Sequence, residues 1–138
     1  MDLDDVLRSF TPSLDLANPD AVFDKCLPIA LEFMTHAAKR GLPSVLVQVS
    51  EYYGDLSRCH PEWEGVPADS VIHYLVRIDD KYVDWTRRQF DSLAPVPVVL
   101  TDLEADGWAQ SWEIAREGAP DWIRDTLDRV PPISDLSL

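Results

Sequence analysis

The sequence predicts an α+β fold, and three stretches carry that prediction. AVFDKCLPIALEFMTHAAKRGL places apolar residues at helical spacing. PSVLVQVS alternates with a period of two, as a strand does. HYLVRIDDKYVDW is a pair of alternating runs around an acidic dipeptide, the pattern of a hairpin. At 138 residues the chain suits one domain with one core, read here as residues 1–138.

Taken in order, residues 2–9 read as a short helix, and TPSLDLANPD as a turn-rich link. Asn18 ahead of Pro19 is a helix-start signal, because proline loses nothing at the first helical position. Pro28 cannot lie deep inside a helix, since it lacks an N–H and clashes with the preceding turn. The long helix therefore begins between Asp24 and Leu27, with Asp24 as its cap and Cys26 at its N-terminus. Ile29, Phe33 and Ala37, with Leu27, Ala30, Leu31, Met34 and Ala38, form its apolar face, and Gly41 ends it. His36, in mid-helix, reads as structural or surface. Residues 45–50 form a strand. Residues 54–70, rich in Gly, Pro, Asp and Ser, form a long loop of the kind that is functional or mobile. The hairpin runs over about 71–78 and 81–86, and a proline-interrupted extended run covers 96–100. Two helices are predicted near 104–116 and 119–129, a helical C-terminal extension over about 104–130. Trp108, Trp112, Trp122 and Leu127 are its expected buried anchors.

Composition limits the function classes. The formal net charge of −13 speaks against a phosphate backbone as ligand, which calls for clustered Lys and Arg. It permits a basic protein partner. No apolar run approaches the ~20 residues needed to span a membrane, and the acidic start MDLDDVLRSF lacks the features of a signal peptide. A cytoplasmic protein that binds neither nucleic acid nor membrane is the expectation. The two cysteines, Cys26 and Cys59, then suggest no disulfide. A zinc site would need Cys26, Cys59, His60 and His73 or His36, and that spacing matches no finger or ribbon, so no metal or other cofactor is expected.

The hairpin raises the chemical question. With a two-residue loop at Asp79-Asp80, odd positions of its first strand share a face with even positions of its second. His73 and Asp84 become diagonal neighbours within side-chain reach. A carboxylate on an imidazole fixes its tautomer and stabilises the imidazolium, which can then serve a nucleophile. Cys26 suits that role: a helix N-terminus favours thiolate, and its N–H groups can stabilise an oxyanion. Cys26, His73 and Asp84 thus form a coherent triad. Each residue also has a plainer reading. Cys26 can be a small buried residue, His73 a satisfied strand histidine and Asp84 a polar strand end. Cys59, beside His60 in the long loop, is the rival nucleophile. Gln89 can hydrogen-bond near the site. Tyr52, Tyr53, Trp63 and Trp85 either line a substrate groove or pack in the core.

A cysteine opening a long helix, followed by HYLVRIDDKYVDWTRRQF, resembles the papain-like and transglutaminase-like thiol hydrolases. It is most similar to the compact papain-fold domains of bacterial and phage proteins and of polymorphic toxins. The resemblance rests on His73, Tyr74 and Val76, then Val83, Asp84 and Thr86, then Gln89 and Phe90, with Pro95 and Pro97 after them. It covers roughly residues 20–100. It implies Cys26 as nucleophile, His73 as base and Asp84 as orienter, with a helix packed on an antiparallel sheet. The activity implied is hydrolysis of an amide in a protein or peptide, as a peptidase, amidase or glutamine deamidase. Relatives often carry a glycine and a polar amide residue just before the cysteine, where this chain has Phe23, Asp24 and Lys25. Gln89, Trp85 and Trp63 are the remaining candidates for an oxyanion or substrate contact. The missing amide, with the acidity, also suits an inactive member of the fold that acts as an inhibitor, immunity factor or adaptor.

Overall fold

The computed structural model describes residues 2–114, 121–128 and 130. Three helices come first: α1 (Leu3–Ser9), α2 (Pro19–Val22) and α3 (Cys26–Ala38). Asp2 caps α1 by accepting the Asp5 N–H at 2.9 Å, and Asn18 caps α2 by accepting the Asp20 N–H at 3.0 Å. The long helix departs from the expected start in one respect. Asp24 is not its cap; Lys25 holds that position and supplies no side-chain hydrogen bond. The chain has to reverse between α2 and α3, and Asp24 makes the turn with φ at 58°. At the other end Gly41 takes φ 76°, which lets the Leu42 N–H reach back to the Ala37 carbonyl at 3.0 Å.

Five antiparallel strands follow: β1 (Val45–Tyr52), β2 (Ile72–Ile78), β3 (Lys81–Asp84), β4 (Val98–Leu100) and β5 (Trp108–Ile114). They lie in the order β4-β3-β2-β1-β5. The β2–β3 hairpin closes with Ile78 opposite Lys81, so its loop is the two residues Asp79 and Asp80. A last helix, α4 (Asp121–Leu127), falls within the second predicted helix of the C-terminal region. The fold is α+β, with helices and an antiparallel sheet segregated along the chain.

The predicted helix at 104–116 is replaced by a turn and β5. Gly107 sits at φ 107°, a conformation that no helix interior contains. Beyond it the chain pairs with β1, from Tyr52 opposite Trp108 to Leu46 opposite Ile114. β2 occupies only one side of β1, and the other row of backbone N–H and C=O groups also needs partners. Of the expected anchors, Trp108 is buried, whereas Trp112 is 44% exposed, and Leu127 is partly buried against the core. The Trp122 side chain lies outside the described residues, as does the C-terminal 131–138 segment.

Both faces of the sheet are covered. On one, Leu46, Val76, Ile78, Val83 and Trp85 pack against α1, α2 and α3 through Val6, Val22, Ile29 and Phe33. On the other, Val47, Val49, Tyr52, Leu75 and Trp108 form a second apolar cluster with Phe90 and Leu103. Leu56, Trp63 and Val66 of the long loop close over that cluster, so the loop works as a packing layer. It contains two short 3-10 turns, Pro61–Trp63 and Ala68–Ser70. Among the described residues no helix is long and apolar enough to cross a membrane.

Candidate active site

The two-residue hairpin loop sets the register that the site depends on. Val76 pairs with Val83, and the ladder between β2 and β3 stops there. Beyond that pair, His73 on β2 and Asp84 at the end of β3 occupy one face, and their side chains meet. His73 Nε2 lies 2.9 Å from Asp84 Oδ2, with both residues removed from solvent. The other carboxylate oxygen accepts the Thr86 N–H at 3.1 Å, which fixes the rotamer of Asp84. Trp108 stacks on the imidazole at 5.5 Å with 17° between planes, and Phe90 meets it edge-on at 5.0 Å.

Cys26, the first residue of α3, reaches the same dyad. Burial on its own pushes the His73 imidazolium toward losing its proton. The Asp84 carboxylate, through charge and hydrogen bond, and then the Cys26 side chain, by the same two routes, overcome this and push the group up to about 10. Nε2 is committed to Asp84, and Nδ1 is approached by the Gln89 amide. A narrow recess at the end of the β2–β3 ladder is lined by Cys26, Tyr74, Leu75, Val83, Trp85 and Thr86. It is too tight to admit a water molecule, and Cys26 itself is 9% exposed.

Gln89 lies beside these groups and ties them to the turn before Cys26. It belongs to the 3-10 turn Arg87–Gln89 and is buried. Its Nε2 is 3.3 Å from His73 Nδ1 and 3.3 Å from Thr86 Oγ1, and its Oε1 accepts the Asp24 N–H at 3.4 Å. Trp85 lines the recess and packs against Phe10 at 4.9 Å and Phe33 at 5.3 Å, and its indole N–H is buried without a partner. Trp63 is placed elsewhere: from the long loop it packs on Phe90 at 5.1 Å and Phe23 at 5.6 Å. Tyr52 is buried, and Tyr53 is exposed with its hydroxyl on the Glu104 carbonyl. Neither lines the recess.

The rival cysteine has no such surroundings. Burial and then the Glu64 carboxylate push the Cys59 thiol up. The neighbouring His60 is committed elsewhere, with Nε2 on Asp20 Oδ1 at 2.8 Å and Nδ1 accepting the Glu62 N–H at 3.1 Å. His36 is held by Ser9 Oγ and the Val6 carbonyl, each at 3.0 Å, with its imidazolium disfavoured first by burial. Among the described residues no three His, Cys, Asp or Glu side chains gather closely enough to hold a metal ion.

Sequence reasoning missed Arg87, Asp106 and the stacking role of Trp108. Arg87 Nη1 stands 3.9 Å from Asp84 Oδ2 and pairs with Asp106 Oδ2. Arg87 Nη2 donates to the Tyr52 hydroxyl at 3.1 Å, and Trp108 Nε1 donates to Asp106 Oδ2 at 3.1 Å. The pair of arginines inside WTRRQF is the one local signal. Nothing near it in sequence points to Asp106. Comparison with models of protein families, with characterised proteins and with solved structures finds no match to this chain.

Proposed function

We propose that the protein is a thiol hydrolase of amide bonds, with Cys26 as nucleophile, His73 as base and Asp84 as orienter. One observation carries the reading: a buried imidazole bonded to a carboxylate at 2.9 Å has a cysteine at a helix N-terminus beside it, near enough to strengthen its hold on the proton. The likeness of the sequence to papain-like and transglutaminase-like hydrolases agrees with it. In the reaction the Cys26 sulfur bonds to the amide carbonyl carbon while His73 holds the thiol proton. The tetrahedral oxyanion faces the first turn of α3, where no side chain caps the helix. Pro28 has no N–H, so the Cys26 and Leu27 N–H groups are the donors available there. The C–N bond breaks as His73 protonates the leaving amine. Water then attacks the thioester, His73 takes its proton, and the carboxylic acid leaves with the thiol restored. With water as acceptor the enzyme is a peptidase, amidase or glutamine deamidase; an amine would make it a transglutaminase.

The alkylation rate of each cysteine, followed by mass spectrometry in folded protein, tests the reading. At about pH 6, Cys26 should react with iodoacetamide at least ~10-fold faster than Cys59, and His73→Ala should remove that advantage. An inert Cys26, or one indifferent to His73, would end the proposal.

A second reading has its own support. A recess closed to water and a Cys26 that is 9% exposed suit a chain that keeps the fold for binding. The charge of −13 selects a basic protein as its partner. Salt-sensitive capture of a basic protein, undiminished in Cys26→Ala, would favour this reading over the first.

A further inference from the structure

We infer that Arg87 and Asp106 are positioning residues for His73: an ion pair that keeps the guanidinium from taking Asp84 and holds Trp108 over the imidazole. The inference rests on reading His73 as the base, and it concerns how that base is set. Five side chains form a closed circuit. His73 Nε2 bonds Asp84 Oδ2 at 2.9 Å, and Arg87 Nη1 approaches the same oxygen at 3.9 Å. Arg87 is taken up by Asp106 Oδ2, which also accepts the Trp108 N–H at 3.1 Å. Trp108 then returns to His73 by stacking at 5.5 Å. The circuit joins β2, β3, the 3-10 turn after β3, the turn before β5, and β5 itself.

The logic is competition for one carboxylate oxygen. A guanidinium free to move onto Asp84 Oδ2 would displace the imidazole as its partner, because a bidentate Arg–carboxylate pair is the stronger match. Asp106 holds Arg87 back at 3.9 Å and cancels its charge. Tyr52 steadies it from β1, its hydroxyl accepting from Nη2 and its ring lying 5.3 Å from the guanidinium carbon. The charged and titratable groups facing the dyad are therefore Asp84 from β3, Cys26 from α3, and Arg87, Asp106 and Tyr52. Asp91 adds a weaker field at Arg87.

The two halves of the pair act on the imidazolium with opposite sign. Losing the Asp106 charge leaves Arg87 to compete for Asp84 and to repel the imidazolium. Losing the Arg87 charge frees Asp84 for His73. A merely structural role in seating Trp108 would give both losses the same sign. The test is an NMR titration of the His73 ring, whose signal among the three histidines is identified by its absence in His73→Gln. Relative to the wild type, Asp106→Asn should lower the midpoint and Arg87→Gln should raise it, each by ~0.5 pH unit or more. The double variant, which buries no unpaired charge, should fold and return close to the wild-type midpoint. If one single variant fails to fold, the sign of the shift in the other carries the test. Shifts of equal sign or an unmoved midpoint in a folded single variant, or a displaced midpoint in the double variant, would overturn the inference. The titration reads His73 directly and needs no turnover. An inert Cys26 with opposite shifts would therefore sink the hydrolase and leave the positioning pair standing.

Discussion

The His73 imidazole has no exposed surface, and burial alone favours its neutral form. The Asp84 carboxylate reverses that preference and Cys26 adds to it, so the folded protein holds a proton that the unfolded chain releases near pH 6.5. The sign for stability follows. The contribution is complete below about 6.5 and is lost as the pH climbs toward about 10, where the folded group itself deprotonates. Urea unfolding of the wild type should show stability falling across that window, with a slope of up to ~1.4 kcal/mol per pH unit. In His73→Gln the slope should flatten; a slope retained in the variant would place the proton elsewhere. Asp84→Asn should be the more damaging change, costing ~3–5 kcal/mol. It removes the charged partner of a buried imidazole, which must then give up its proton in a dry site. Chemical denaturation at neutral pH measures this directly.

Among the elements, β5 bears most on the site, because it supplies both a sheet edge and the ring over His73. Trp108 and Trp112 lie on one strand, yet their surroundings differ. Trp108 is 1% exposed between Tyr52, Phe90 and His73, while Trp112 is 44% exposed opposite Gln48. Trp108→Ala should cost ~3–5 kcal/mol, as truncation of a buried aromatic does. Trp112→Ala should stay within ~0.5 kcal/mol, as surface changes do. Equal effects in thermal unfolding would contradict the strand geometry. The turn leading into β5 is as demanding. A Cβ at Gly107 would stand 2.9 Å from the Tyr52 ring and 3.0 Å from the Gly54 nitrogen, at a φ of 107°. Gly107→Ala should destabilise by ~1–3 kcal/mol through strain and overpacking, and it should disturb Tyr52, which steadies Arg87.

The whole molecule places a five-stranded sheet between helices on one face and loop segments on the other. Its site lies where α3, the end of the β2–β3 ladder and the Arg87–Gln89 turn converge. The charge of −13 makes the compact state repel itself. Raising sodium chloride from about 10 to about 200 mM, which shortens the screening length from ~30 Å to below 10 Å, should therefore raise the melting temperature by a few degrees. A melting temperature that falls with salt would mean that attractive ion pairs, such as Arg58 with Asp91 at 2.8 Å, outweigh the repulsion.

What the sequence alone determined is what short-range physics encodes. The apolar face from Ile29 to Ala38 and the punctuation at Gly41 make α3 legible, since both act within a turn or two of the chain. The acidic pair at 79–80 and the alternation around it place His73 and Asp84 on one face, because an even loop length fixes parity. The tertiary structure alone decided the rest. A spacing of four, as between Trp108 and Trp112, puts two residues on one side of a helix or of a strand, and only the vacant side of β1 selected the strand. Asp24 looked like a cap, but the turn out of α2 needed its backbone in the left-handed region. The meeting of Arg87 with Asp106, and of Gln89 with Asp24, spans intervals that no local pattern records. Such contacts are set by how elements distant in sequence pack, and packing is a property of the assembled core.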